Sequence, residues 1–113
     1  MPELPAEADL TLRNLQAFHI SLDQDKSFDT DVIRNVAYLT AELGEVMGAI
    51  RELKRGESAP ETARAHIGEE LADCLAYVLK LENYLDVDLQ DAYIQKMQTN
   101  LARIWYPRGE ESS

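Results

Sequence analysis

Hydrophobic residues recur at intervals of three and four along most of the chain, in four blocks separated by short polar or proline-containing segments. This spacing is typical of amphipathic helices that pack one face against a core. It predicts four helices, at about residues 9–23, 30–54, 58–84 and 88–104. We therefore expect an all-α fold, an antiparallel four-helix bundle-like protomer whose core is completed by oligomerisation.

Short polar residues mark where the later helices are expected to begin. Asp29 or Thr30 is the predicted N-cap of the second helix, and Asp88 that of the fourth. Ser58-Ala-Pro-Glu61 matches a capping box with proline in the first turn, so the third helix should start there. The predicted inward stripe of the fourth helix comprises Leu89, Ala92, Tyr93, Met97, Leu101 and Ile104.

The second and third helices are apolar on most faces, yet each carries carboxylates near its centre. The residues of 36–50 and 67–79 that are charged at neutral pH are all acidic: Glu42, Glu45, Glu69, Glu70 and Asp73. A buried ionised carboxylate is costly unless it is paired or binds a metal. Neither stretch contains a lysine, arginine or histidine that could pair with these acids.

The spacing of the acids predicts that they converge. Glu42 and Glu45, like Glu70 and Asp73, are three residues apart and share a helix face. In an antiparallel hairpin that turns near residue 57 or 58, Glu45 lies level with Glu70 and Glu42 with Asp73. These four carboxylates would repel one another unless they held a hard divalent cation such as Mg²⁺, which takes oxygen ligands and substrate phosphates. The alternative is a solvated acidic stripe.

Length and charge limit the possible partners. The 113 residues indicate one domain, which we place at 9–107 between flexible tails at 1–8 and 108–113. The 21 acidic and 11 basic residues give a net charge of −10, which argues against nucleic acid or a membrane surface as a partner. A chain of this size with such apolar helices is expected to share its core with a second copy.

The single cysteine and the apolar runs indicate the compartment. Cys74 allows no internal disulfide, which fits a reducing cytoplasm, and it is expected to be a small buried hydrophobe. No apolar run approaches transmembrane length, and the N-terminus lacks the plan of a signal peptide. We therefore expect a cytoplasmic protein without a membrane partner.

Three polar residues share one face of the last predicted helix, because Lys96, Asn100 and Arg103 follow at i, i+4 and i+7. They are either solvent-facing residues or an array of donors suited to phosphate oxygens. His66 precedes Glu70 by one turn and is expected to be exposed. Trp105 is expected to pack at the bundle end or a subunit contact, with base stacking as the alternative.

Ala-Glu42-Leu-Gly-Glu45-Val, followed about twenty-five residues later by Glu69-Glu70-Leu-Ala-Asp73-Cys-Leu-Ala-Tyr77, resembles the all-α MazG-like nucleoside triphosphate pyrophosphohydrolases. Their signature is Glu-x-x-Glu followed by Glu-x-x-Asp, and the resemblance covers roughly residues 10–107. It implies hydrolysis of a nucleoside triphosphate between the α- and β-phosphates, yielding monophosphate and pyrophosphate, in nucleotide-pool house-cleaning. It also implies Mg²⁺, with Mn²⁺ as a substitute, and a homodimer or homotetramer.

The resemblance assigns a role to each candidate residue. The implied metal ligands are Glu42, Glu45, Glu70 and Asp73, and the implied phosphate or sugar contacts are Lys96, Asn100 and Arg103. Crowded carboxylates have coupled titrations, so one can take the proton of the attacking water. Glu45 and Glu69 are our candidates for this catalytic role.

Two departures from the family pattern affect this interpretation. Ala41 stands where many members carry an additional glutamate, and the tryptophans of the deoxycytidine-preferring branch have no clear equivalents. The alternatives are a related dUTP-specific or phosphoribosyl-ATP pyrophosphohydrolase, and a non-catalytic helical dimerisation module. A di-iron carboxylate bundle is a further rival, although neither acidic motif has the histidine of Glu-x-x-His.

Overall fold

The structure, a computed structural model, describes residues 2–103, which contain four α-helices and no strand. The helices are α1 (Leu12–Lys26), α2 (Val32–Arg55), α3 (Pro60–Tyr84) and α4 (Leu89–Ala102), and a 3-10 turn (Glu7–Asp9) precedes them. The predicted all-α class and the four helices are confirmed. The predictions for Ile104, Trp105 and the tail at 108–113 lie outside the described residues.

Two of the predicted N-caps differ from those in the structure. Asp88 caps α4 as predicted, because its side chain accepts a hydrogen bond from the backbone N–H of Asp91. The prediction of Asp29 or Thr30 for α2 is wrong, since Asp31 caps this helix. The Asp29 carboxylate instead accepts hydrogen bonds from the Arg34 guanidinium and the Tyr38 hydroxyl.

The turn between α2 and α3 also departs from the predicted capping box. Gly56 ends α2 in the left-handed conformation, with φ of 65°, and α3 begins at Pro60 without a side-chain cap. The Ser58 hydroxyl donates to the Glu52 carboxylate at 2.5 Å, so it does not cap α3. A hydrogen bond to an ionised acceptor is stronger than one to a neutral group, which explains this choice of partner.

Helices α2 and α3 form the predicted antiparallel hairpin, and α1 packs against α3. The buried apolar side chains are small except for one leucine: Ala49, Ala63, Cys74 and Leu79. Small residues allow the two long helices to approach each other closely. The predicted burial of Cys74 is confirmed.

Helix α4 does not close a four-helix core. It contacts chiefly α1, near its own beginning, where Arg13 pairs with Asp88 at 2.7 Å. The predicted inward stripe is wrong for the single protomer, since Tyr93 is 55% exposed and Leu101 is 86% exposed. The periodicity identified the apolar face of α4 but not the surface that would cover it.

Large apolar side chains are exposed on the helical hairpin as well: Ile33, Val36, Leu43, Met47, Leu71 and Leu75. We call these six residues the apolar face. The radius of gyration is 17.4 Å, whereas a compact chain of this length has about 13 Å. The protomer is therefore extended, with much of its apolar surface in contact with water.

Within residues 2–103, no helix combines the length and the hydropathy that crossing a bilayer would require.

Candidate functional site

Three of the predicted acidic residues meet at the middle of the hairpin. Glu42 projects from α2 and Glu70 and Asp73 from α3, and one carboxylate oxygen of each lies within 4.8 Å of the others. We call these residues the acid triad. Glu42 and Glu70 are half-buried, whereas Asp73 is exposed. The i, i+3 spacing on α3 and the antiparallel pairing with α2 produce this convergence, as the sequence predicted.

The acid triad has an unfavourable electrostatic environment. The pKa of Glu42 is raised, first by its hydrogen bond with Glu70, then by burial and by the charges of Asp73, Glu70 and Glu45. Among the ion pairs of residues 2–103, no lysine or arginine pairs with the triad. A divalent cation fits the chemistry of this donor set, because carboxylate oxygens are the ligands that hard cations prefer.

The remaining predicted acids lie outside the triad. Glu45 is exposed one turn after Glu42, close enough for its charge to act on Glu42. Glu69 is exposed beside Glu70. The roles of Glu45 as ligand and of Glu45 and Glu69 as proton acceptors stay predictions.

His66, which we expected to be exposed, contacts the triad. Its Nε2 lies 3.3 Å from Oε1 of Glu70, and its Nδ1 lies 3.4 Å from Oε2 of Glu52. The pKa of His66 is raised, first by the hydrogen bond with Glu52 and also by Glu70, against the effect of burial. The i, i+4 spacing to Glu70 was the available sequence signal. Glu52, on the opposite helix, could not be recognised from local spacing.

A cavity of 320 Å³ adjoins the triad, and Asp73 lines it. Aromatic side chains from three parts of the chain also line it: Phe28, Tyr38 and Tyr77. The rings of Tyr38 and Tyr77 have centroids 6.0 Å apart. Lys80 Nζ lies 4.8 Å from the centroid of Phe28 and 5.4 Å from that of Tyr77. The sequence pattern does not indicate this cavity, because its walls come from segments that are distant along the chain.

Buried polar contacts hold the wall of the cavity formed by α1 and α3. The Lys80 ammonium pairs with the buried Asp23 carboxylate at 3.5 Å, and the Tyr84 hydroxyl donates to the same carboxylate. Burial lowers the pKa of His19, which favours its neutral form. Among the described residues that line the cavity, Lys80 is the one lysine or arginine.

The opposite wall is held by contacts at the start of α2. Asp29 pairs with Arg34 at 2.6 Å, which holds the pKa of this carboxyl far below its usual range. The fully buried Asn35 amide donates to the backbone carbonyls of Asp29 and Asp31 at 2.8 and 2.7 Å. Together these bonds fix the segment that places Phe28 and Tyr38 at the cavity.

The polar face of α4 does not reach the cavity within one protomer. Lys96 and Arg103 are exposed, and Asn100 is half-buried with its amide 3.9 Å from the Met97 sulfur. None of Lys96, Asn100 and Arg103 lines the cavity. Their assignment to phosphate or sugar stays a prediction.

The fold and the site define an all-α protein in which a helical hairpin presents a carboxylate cluster, suited to a divalent cation, beside an aromatic cavity. The model of the MazG nucleotide pyrophosphohydrolase domain matches residues 30–103, and the chain belongs to this family. The family hydrolyses nucleotides and generally depends on a divalent metal. No curated protein matches the sequence significantly. The matched residues contain the acid triad, whereas α1 and Phe28 precede them.

Proposed function

We propose that the protein hydrolyses a nucleoside triphosphate between the α- and β-phosphates in a Mg²⁺-dependent reaction, releasing monophosphate and pyrophosphate. The observation that carries this proposal is the sharing of Asp73 between the acid triad and the aromatic cavity. A phosphate at the triad would place an attached nucleoside within reach of the cavity. Removal of non-standard nucleotides from the cellular pool is the role we favour.

Glu42, Glu70 and Asp73 would hold the cation, with Glu45 completing the set from the next turn of α2. Bound there, Mg²⁺ or Mn²⁺ would polarise the phosphoryl oxygens and make the attacking water more acidic. A cation bound among the three carboxylates would offset their mutual repulsion, because its charge is opposite to theirs. The convergence of one oxygen from each carboxylate supports this assignment.

One of two exposed carboxylates would accept the proton of the attacking water. Glu45 is favoured, because its charge already acts on Glu42, whereas Glu69 is the alternative from the neighbouring turn of α3. A carboxylate at the edge of the triad can exchange the proton with solvent after the reaction. Glu45→Gln should therefore lower kcat at saturating Mg²⁺ if Glu45 acts as the base.

The aromatic cavity would receive the base and sugar. Its 320 Å³ lies at the small end of the range of about 300–1,000 Å³ that ligand pockets occupy. Phe28, Tyr38 and Tyr77 offer faces for a planar base, in place of the tryptophans expected in the deoxycytidine-preferring branch. The ammonium of Lys80 offers a donor to the same ligand.

We further propose that two copies pair through the apolar face, as a homodimer or as half of a homotetramer. Ile33, at 77% exposure, and Leu43, at 54%, are too exposed for an isolated core. A second copy would cover them and would complete the core that α4 leaves open. It would also bring a second α4 to the hairpin, and we assign Lys96, Asn100 and Arg103 to phosphate or sugar contacts in this assembly.

A substrate panel tests the proposed function. The full chain is incubated with Mg²⁺ and each common or oxidised nucleoside triphosphate, dUTP and phosphoribosyl-ATP, and the products are identified. Monophosphate plus pyrophosphate from at least one substrate, lost with EDTA or with Glu42→Gln, is the expected result. Release of orthophosphate, or no turnover of any substrate by a folded protein, would contradict the proposal. Selective turnover of dUTP or phosphoribosyl-ATP would favour the related hydrolases.

A further inference from the structure

A line of polar contacts runs from the α2–α3 turn to the acid triad. The Ser58 hydroxyl donates to one oxygen of Glu52, and the other oxygen of Glu52 lies 3.4 Å from Nδ1 of His66. The second ring nitrogen of His66 lies 3.3 Å from Glu70. The imidazole thus bridges a carboxylate near the end of α2 and a triad carboxylate in the middle of α3. Ser58 and Glu52 do not themselves belong to the triad.

The bridge acts on a triad member whose side chain is largely enclosed. The Glu70 side chain is 15% exposed, and it lies against Glu42, which repels it when both carboxylates are ionised. A glutamate side chain has several rotamers, so repulsion alone would turn the Glu70 carboxylate out of the triad in the absence of an opposing contact. His66 supplies that contact, and Glu52 with Ser58 prevents the imidazole from rotating away.

We propose that His66 is a positioning residue, which holds the Glu70 carboxylate in the orientation that binds a divalent cation and is itself held by Glu52. This inference rests on the proposed function for its catalytic consequence. Partners that hydrogen-bond a ligating carboxylate orient it, and their loss weakens metal binding or activity by about 10–100-fold. His66 does not touch the cation or the nucleotide in this assignment.

The two possible roles of His66 predict opposite changes in cation affinity when the side chain is removed. If His66 acted only as a positive charge beside the triad, its removal would strengthen cation binding, because the acids would attract the cation more strongly. If His66 positions Glu70, its removal weakens cation binding despite this gain in attraction. The direction of the change in affinity therefore separates the two roles.

The experiment measures Mn²⁺ binding to the full chain by electron paramagnetic resonance and Mg²⁺ binding by calorimetry, without nucleotide. We expect His66→Ala to weaken binding by about 10–100-fold and His66→Gln, which retains one donor, to weaken it less. Arg64→Gln is the matched control, because it removes a positive charge from an exposed position on the same helix. It should leave the affinity close to that of the wild type.

Glu52→Ala tests the anchoring contact. It should weaken Mn²⁺ binding in the same direction as His66→Ala, and the double variant should bind no more weakly than His66→Ala alone, because both changes break one line of contacts. Circular dichroism of each variant verifies folding. Unchanged or tighter binding by a folded His66→Ala variant would overturn the proposal, and so would full additivity in the double variant.

Activity gives a second readout. With the best substrate of the panel, His66→Ala should raise the Mg²⁺ concentration for half-maximal rate, with kcat largely restored at saturating Mg²⁺. A kcat loss that Mg²⁺ does not restore would contradict a positioning role. If the wild type hydrolysed no nucleotide, the proposed function would fail while the Mn²⁺ measurement would still decide the role of His66.

Discussion

Neutralising one member of the acid triad should make the metal-free protein more stable while greatly reducing its stabilisation by Mg²⁺. The change with the least effect on shape is Glu42→Gln, because the glutamine amide can still hydrogen-bond Glu70. In the wild type, a triad of carboxylates within 4.8 Å of one another repels itself whenever no cation is bound. The variant removes two of the three repulsive pairs.

The size of this effect follows from the geometry. Two unit charges at 4.8 Å repel by about 0.9 kcal/mol in a medium like water and by about 3.5 kcal/mol at an effective dielectric constant of about 20. Because Asp73 is exposed and Glu42 half-buried, and because salt screens such pairs, the lower end applies. We expect a gain of about 1–2 kcal/mol for two pairs, which raises Tm by roughly 4–10 °C.

The gain should depend on pH in a defined direction. The pKa of Glu42 is raised in the folded protein, so protonation of this side chain favours the folded state. This contribution to the free energy of unfolding is fully present below the unfolded pKa of about 4.5. This stability is lost as the pH rises through the folded pKa. The advantage of Glu42→Gln should therefore be small at pH 4 and reach its full size near neutrality.

Calorimetry at constant protein concentration, with EDTA or with Mg²⁺, tests this prediction. Mg²⁺ at about one hundred times its dissociation constant should stabilise the wild type by about 2.7 kcal/mol and the variant by much less. Glu61→Gln is the control, because it removes one exposed carboxylate from the first turn of α3, outside the triad. It should leave Tm unchanged or slightly lower. A destabilised metal-free Glu42→Gln protein, or a variant that keeps the full Mg²⁺ response, would refute the reasoning.

Three further predictions concern the cavity, the oligomer and acid stability. Phe28→Ala should raise KM for the best nucleotide by about 5–150-fold, the change expected from the loss of one base-stacking contact, with little change in Tm. An unchanged KM would exclude stacking on this ring. Leu43→Asp should convert the proposed homodimer to a monomer, as measured by light scattering after gel filtration, whereas the exposed Lys54→Asp change should not. The pKa of Asp29 is lowered in the folded protein, so the ionised Asp29 carboxylate stabilises the fold above the unfolded pKa of this group, and the contribution disappears as the pH falls. Arg34→Gln should therefore lower Tm more at pH 7 than at pH 2.

The convergence of the acid triad was predictable because it depends on two local rules. The i, i+3 spacing fixes which side chains share a helix face, and the breaker residues of the turn fix which residues of the two arms lie level. Glu42, Glu70 and Asp73 meet accordingly. Glu45 obeys the same rules yet lies outside the triad, because level backbone positions do not fix the rotamer of an exposed glutamate.

The cavity and the fate of α4 could not be predicted in the same way. Phe28 and Lys80 meet through the packing of α1 and the following segment on α3, and no periodicity in the sequence encodes that contact. Leu101 belongs to a regular apolar stripe, but periodicity says nothing about whether the covering surface belongs to the same chain. Ser58 matched a local capping pattern, and a charged partner on α2 took its hydrogen bond.

Under the proposed function, cation binding, pairing of two copies and folding of the hairpin are coupled. A protomer with few buried apolar residues has a small free energy of unfolding, which repulsion among three carboxylates lowers further. Relief from a bound cation and burial of exposed Leu43 and Met47 by a second copy would both favour the folded hairpin, because each binds the folded state preferentially. Removing Mg²⁺ should therefore lower the stability of the assembly as well as the activity. Residues such as His66, which hold the triad in a repulsive arrangement, would then be retained for cation binding at the expense of the metal-free state.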